Sequence, residues 1–278
     1  LAYTPVAEYN NLQSNPARIQ EGERKMLHKI SLYYFSPTGG TKKAGETFCQ
    51  EMAGKVEVID LGVPKQTVRE PEGEVVVFAA PVFGGRIPKL VTDKIRKLHG
   101  NGKRAVTLAV YGTRAYEDAL LELNRAVEGQ GFQVAASAAL IARHSIVPEV
   151  GAGRPDEKDQ EEIRDFAKSV LEKLRTSFQG TVKVPGNDPY KEAMNMPATP
   201  ISLPVCNQCK RCVSICPAEA ISISDGMVTT DTEACILCMA CTVACPQGAR
   251  ILPPPLQEQM NEKLGALKTV RRENEFYL

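Results

Sequence analysis

Apolar residues along the first part of the chain fall into two kinds of run. Short continuous runs stand at "KISLYYFS" (29–36), "KVEVIDL" (55–61), "EVVVFAAPV" (74–82), "RAVTLAVYG" (104–112) and "FQVAASAALIA" (132–142). Each has the length and the β-branched and aromatic content of a buried strand. Between the later runs the spacing becomes helical. "PKLVTDKIRKL" sets Leu90, Val91, Ile95 and Leu98 on one face, and "RAYEDALLELNRAVE" does the same with Ala119, Leu120, Leu123 and Val127. "GRPDEKDQEEIRDF" predicts a further helix, with Pro155 at its first position and Asp156 and Glu157 against the positive end of the dipole. Strand alternating with helix predicts an α/β fold. Its sheet is doubly wound, parallel and five-stranded, in the order 2-1-3-4-5, and binds ligands beyond the carboxyl ends of the strands.

The pattern breaks after residue 179. "GTVKVPGNDPYKEAMNMPATPISLP" (180–204) holds five prolines and no sustained period, so it reads as a linker. Five units are expected: an N-terminal arm or added remnant (1–27), the α/β domain (28–179), the linker (180–204), a small cysteine-rich α+β domain (205–252) and a C-terminal tail (253–278). A helix is predicted in the tail from Leu256 to Arg272, and "AISISDGMVTTDTEA" predicts a hairpin around Asp225-Gly226. The polar opening segment lacks the apolar centre of a signal peptide, and Met26 is the expected true start.

Composition narrows the classes. The 278 residues are 43% apolar and 24% charged with a net charge of +1, which is ordinary for a globular protein and gives no sign of a nucleic-acid or membrane-surface partner. No apolar run approaches the roughly 20 residues of a membrane span. A cytoplasmic location is the expectation.

Two motifs carry the candidate chemistry. The first is the loop "SPTGGT", Ser36, Pro37, Thr38, Gly39, Gly40 and Thr41, between the first strand and a helix. Its hydroxyls, glycines and free helix amides suit a small anion such as phosphate, and a Ser/Thr-rich turn with a helix cap is the plain alternative. The Gly-Lys-Ser/Thr of a nucleotide P-loop is missing.

The second motif is a repeat. "CNQCKRCVSICP" returns as "CILCMACTVACP", with Cys206, Cys209, Cys212 and Cys216 each followed 29 residues later by Cys235, Cys238, Cys241 and Cys245. Disulfides do not suit a cytosolic chain, and zinc ribbons use two separated C-x-x-C pairs, which leaves a structural metal as the minor alternative. The C-x₂-C-x₂-C-x₃-C-P run is the known bacterial spacing for [4Fe–4S] clusters, whose fourth cysteine serves the other cluster. That spacing assigns Cys206, Cys209, Cys212 and Cys245 to one cluster, and Cys235, Cys238, Cys241 and Cys216 to a second. Cys49 stands outside the pattern as a buried helix residue. A segment this short has too little apolar surface to fold unaided, so the clusters are expected to supply much of its stability.

"SPTGGT" after the first strand resembles the phosphate loop of flavodoxins, and the likeness runs from residue 29 to about 178. It implies FMN as ligand. It also implies that Pro81, Val82, Phe83, Gly84, Gly85 and Arg86 border one flavin face, and that Tyr111, Gly112, Thr113, Arg114 and Tyr116 border the other. Phe83 and Tyr116 would sandwich the ring; core or surface packing is their alternative. Arg86 and Arg114 would bring positive charge near it, or else be ordinary solvated arginines. His144, after the fifth strand, is on the ligand side, while His28 and His99 flank elements. This sequence departs from flavodoxins in having no tryptophan and near-neutral charge.

The whole arrangement resembles flavodoxin-ferredoxin fusion proteins: a flavodoxin-like domain followed by a bacterial-type 2[4Fe–4S] ferredoxin domain. The resemblance implies an iron–sulfur flavoprotein of electron transport in anaerobic metabolism, passing electrons between two [4Fe–4S] clusters and FMN in exchange with a redox protein partner. A flavin-dependent oxidoreductase acting on a small quinone or nitro compound is the alternative. The linker permits contact between the cofactors within one chain or across a homodimer. No G-x-G-x-x-G follows a strand, and no acid–base pair or nucleophile stands out as catalytic.

Overall fold

The computed structural model describes residues 26–176, 180–194, 198–224 and 226–278. Most of the expected N-terminal arm (residues 1–25) and Asp225 of the expected turn lie outside them.

Five strands, β1 (Leu27–Tyr34), β2 (Ala53–Asp60), β3 (Val75–Pro81), β4 (Arg104–Tyr111) and β5 (Gln133–Ile141), form a parallel sheet in the order β2-β1-β3-β4-β5. That is the flavodoxin-like order. Every residue of β3 is buried because helices cover both faces of a central parallel strand, whereas β2 at the edge is partly exposed. The period-two alternation divides the core. Ile30, Leu32, Tyr34, Val75, Val77 and Ala79 face helices α1 (Gly40–Met52) and α4 (Glu157–Leu174). Tyr33, Phe35, Val76, Phe78 and Ala80 face α2 (Lys89–Ile95) and α3 (Ala119–Glu128). Cys49 is buried on α1, where desolvation pushes its thiol up.

The smaller unit contains the antiparallel pair β6 (Ile201–Ser202) and β9 (Arg250–Ile251) and the hairpin β7 (Ile221–Ser224) with β8 (Met227–Thr230). Two single-turn helices, α5 (Arg211–Ile215) and α6 (Ala240–Ala244), carry the third cysteine of each run, Cys212 and Cys241. The internal repeat is written in the backbone as well. Left-handed residues recur 29 apart, as Gln208 with Leu237 (φ 56° and 52°), Lys210 with Met239 (63° and 64°), and Glu219 with Gly248 (53° and 60°).

Three elements differ from expectation. Asp156 is the N-cap of α4, closing a capping box with Asp159, so Pro155 stands outside the helix instead of at its first position. The tail helix α7 runs Pro254–Leu264, gives way to a 3₁₀ turn over Gly265–Thr269, and thus stops short of Arg272. The chain then adds a sixth strand, β10 (Glu275–Tyr277), antiparallel to β5. Covering the β5 edge removes an unpaired row of backbone groups. Arg271 holds Asp156, and Asn274 holds Asp159 and Glu162, fastening the tail to α4.

The described residues of 180–204 have almost no regular structure, yet the segment is fastened along α3. Buried Asp118 accepts from the Asn187 amide at 2.8 Å, the Asn187 side chain at 2.9 Å and the Lys191 amide at 2.7 Å. Burial alone would raise its carboxyl, but these donations hold it below the usual range. Tyr190 lies under both Arg86 and Arg125.

Candidate functional site

The loops that leave β1, β3, β4 and β5 gather at one end of the sheet, because parallel strands all finish there. Pro37, Thr38, Gly40, Thr41, Pro81, Val82, Phe83, Tyr111, Gly112 and His144 line one cavity. The Ser36–Thr41 loop fits an anion. Gly39 takes φ 91°, where a side chain would be strained, and a Cβ on Gly40 would come within 2.7 Å of the Ala142 methyl. Ser36 Oγ accepts from the Lys42 amide at 2.9 Å, and no carboxylate in the first turn of α1 competes for its other amides.

Phe83 is half-buried and lines this cavity and two others. It sits on a tight turn: its amide donates to Arg86 O at 2.9 Å, and Gly84 and Gly85 take φ 60° and 88°. Two consecutive positive φ values define the type I′ geometry that demands residues such as glycine. A Cβ on Gly85 would fall 1.7 Å from the Glu117 carboxylate, so the close approach is also steric.

Three expected site residues have other engagements. Tyr116 lines none of these cavities. Its hydroxyl is held at 2.7 Å by both Glu275 and Tyr277, its ring packs on Tyr111, and burial with these partners pushes its phenol far up. The tail strand holds it there, so it is not among the residues that line the cavity with Phe83. Arg86 is neutralised by Glu122 through two contacts of 2.7 and 2.8 Å, so it does not offer free charge to a ring. Arg114 lines the neighbouring cavity but pairs with Glu117 at 2.6 Å. Thr113 is fully buried at φ 64°, with its hydroxyl unpartnered.

His144 lines both cavities, with Ser145 beside it. Its Nδ1 accepts from the Ile146 and Val147 amides at 3.2 and 3.1 Å, which places the proton on Nε2. Burial, and then the charge of Arg114, pushes its pKa down to about 4, so the ring is a neutral donor at pH 7.

The two cysteine loops form two cradles. Cys206, Cys209, Cys212 and Cys245 line one small cavity, bringing together four thiols 39 residues apart at their extremes. The fourth cysteine of each run receives a matching backbone bond: Ala220 N to Cys216 Sγ at 3.3 Å and Ala249 N to Cys245 Sγ at 3.2 Å. Donors aimed at sulfur suit thiolates that hold iron. Among the described residues no three His, Cys, Asp or Glu side chains converge on a single metal ion.

The second loop is also a docking element. Cys238 and Ala240 pack into the core layer under Tyr33, Phe35 and Ile87, while Leu237 and Met239 join Ile146, Val147, Leu252 and Leu264. Leu237 therefore lines the same cavity as Phe83 and His144, and Cys235 lines a second one with Phe83. Met194 from the linker and Met260 and Lys263 from α7 complete the first of these. Sequence reasoning missed them, since neither segment carries a motif. For Leu237, Met239 and Ala240 there was a signal: they replace Gln208, Lys210 and Arg211 of the first repeat.

Residues 205–250 match the family model of the 4Fe-4S dicluster domain. The segment is 48% identical over 46 residues to an uncharacterised ferredoxin of Methanocaldococcus jannaschii, covering 16% of this chain and 30% of that protein. It is 49% identical over 47 residues to the electron transport protein HydN of Escherichia coli K12, covering 16% and 27%. The chain thus spans under a third of the curated relatives it matches. Among solved structures, oxidised Flavodoxin 1 of Bacillus cereus aligns with 16% identity over 53% of this chain and 99% of its own, at a TM-score of 0.40. The apo form of an NADH:FMN oxidoreductase aligns with 15% identity over 55% and 91%, at 0.41. The strand order, not these scores, carries the fold assignment. With thiols, repeat and family match together, the chain joins an α/β domain of flavodoxin-like strand order to a segment that matches the 4Fe-4S dicluster domain.

Proposed function

We propose that the chain is an electron-transfer flavoprotein in which two [4Fe–4S] clusters and FMN form a relay within one polypeptide. When bound, the clusters supply one-electron steps and the flavin supplies exchange of one or two electrons. The units at 28–179 and 205–252 divide that work.

Cys206, Cys209, Cys212 and Cys245 hold the outer cluster; Cys235, Cys238, Cys241 and Cys216 hold the inner one. The Ser36–Thr41 loop grips the FMN phosphate through its amides and hydroxyls. Phe83 presents its ring to the flavin, and the Gly84–Gly85 turn lets backbone approach the flavin edge. Gly112 and His144 border the same space, with His144 Nε2–H as a neutral donor. Leu237 and Met239 exclude water between the inner cradle and the flavin cavity.

One observation carries the reading: Leu237, from the second cysteine loop, lines the cavity of Phe83 and His144. The outer loop instead exposes Cys209, Lys210 and Arg211, which favours contact there with an external redox protein. Electrons exchange with that partner at the outer cluster, pass to the inner cluster and reach FMN, or run in reverse. No helix among the described residues is long and apolar enough to cross a membrane. Protein purified anaerobically is predicted to carry about eight iron, about eight acid-labile sulfide and one FMN per chain. Zinc in place of iron, or no flavin, contradicts the reading.

A further inference from the structure

The internal repeat fails at one buried position. Ile221 and Arg250 stand 29 residues apart at equivalent strand starts, and both are buried, at 5% and 3% exposure. An arginine here costs desolvation that an isoleucine does not, so something must compensate it.

The protein supplies only neutral partners. Nη1 donates to Ser202 Oγ at 3.0 Å, and Nη2 donates to Thr230 Oγ1 at 2.7 Å and to Cys241 Sγ at 3.9 Å. Among the described residues no carboxylate pairs with it, and its Nε–H is buried without an acceptor. Buried donors are nearly always satisfied, and an unpaired buried guanidinium is among the least tolerated groups in a protein. The side chain lines the cavity of Cys206, Cys209, Cys212 and Cys245 while touching Cys241 of the other cradle. It therefore lies between the two sets of thiols.

We propose that Arg250 is the shared counter-cation of the two clusters, with its free Nε–H satisfied by cluster or thiolate sulfur, and that it raises the reduction potential of both. The inference rests on the two-cluster reading above. Reduction adds one negative charge to a cluster, and a fixed cation in a dry site favours the more negative state. Ser202 and Thr230 keep the guanidinium in place.

The test uses the full chain with its clusters loaded. Iron and sulfide analysis of the wild type comes first: a wild type without both clusters ends the cluster reading and this inference with it. Anaerobic potentiometric titration followed by EPR then compares wild type, Arg250→Gln and Arg250→Lys. Arg250→Gln is predicted to lower the reduction equilibrium of each cluster about tenfold, which is about 59 mV for a one-electron couple. Arg250→Lys, which keeps the charge, is predicted to shift both by less. A loaded Arg250→Gln protein that titrates like wild type overturns the proposal. Should Arg250→Gln not retain iron, pulsed EPR of ¹⁵N-arginine-labelled protein decides: a nitrogen coupling to a reduced cluster, lost in Arg250→Lys, supports it, and no such coupling overturns it.

Discussion

The two cysteine loops share a backbone and differ in what surrounds it. Gln208, Cys209, Lys210 and Arg211 of the first are exposed; Leu237, Cys238, Met239 and Ala240 of the second, at the same places in the repeat, are all buried. Both loops need left-handed residues to wrap their thiols, so φ is conserved within the repeat while side chains diverge. The difference teaches how one motif, duplicated, acquires direction. The polar copy meets solvent and the apolar copy packs on the flavodoxin-like domain, so in the proposed relay one cradle is the outlet and the other the junction.

Iron removal is the harshest challenge to this contrast. Chelation is predicted to abolish cooperative structure across 205–252 while the 28–176 sheet persists, because the small unit has few apolar residues beyond its docking face. Hydrogen exchange with mass spectrometry separates the halves; protection surviving in both cysteine loops would contradict the role given to the clusters.

Substitutions at matched positions sharpen the comparison next. Leu237→Ala removes a side chain 5% exposed and packed against Ile146, Val147 and Leu264, and is predicted to cost about 2–5 kcal/mol. Gln208→Ala, its counterpart, is predicted to stay within about 0.5 kcal/mol. Denaturant unfolding of the two loaded variants measures both, and equal effects would remove the distinction between junction and outlet.

A pH effect belongs to the junction. His144 has its pKa pushed down to about 4 from an ordinary 6.5, because the buried ring resists charging. The unfolded chain therefore binds the proton first as pH falls. Stability from this group is complete above about 6.5 and declines between 6.5 and 4, by roughly 3 kcal/mol in all. His144→Gln is predicted to flatten the wild-type slope across that window in urea unfolding at a series of pH values. A slope unchanged by the substitution would mean that His144 is not held neutral.

Much of this was legible in the sequence. Five buried runs and the intervening helical spacing carry the parallel sheet, since a strand covered on both faces must be continuously apolar, as β3 is. The cysteine spacing carries its own chemistry. What was illegible depends on contacts distant in the chain. Three residues, Glu275, Phe276 and Tyr277, have no period to announce a strand, yet they pair with β5 and remove Tyr116 from the cavity. Arg86 read as a charge near the ring or a solvated arginine, because Glu122, 36 residues on, is visible as its partner only once α3 is folded beside it. The linker read as loose because one carboxylate, Asp118, gathers donors 69 to 73 residues away. The apolar character of the second loop was open to view as a mismatch between repeats, and its meaning needed the surface on which it docks.

Anaerobic stopped-flow mixing with a low-potential reductant, recording cluster bleaching and flavin reduction together over a range of protein concentrations, reaches the central claim most directly. The account predicts cluster bleaching first, followed by flavin reduction at a rate independent of protein concentration, as transfer inside one chain requires. Flavin reduction whose rate rises in proportion to protein concentration, or clusters that stay reduced beside oxidised flavin, would contradict it.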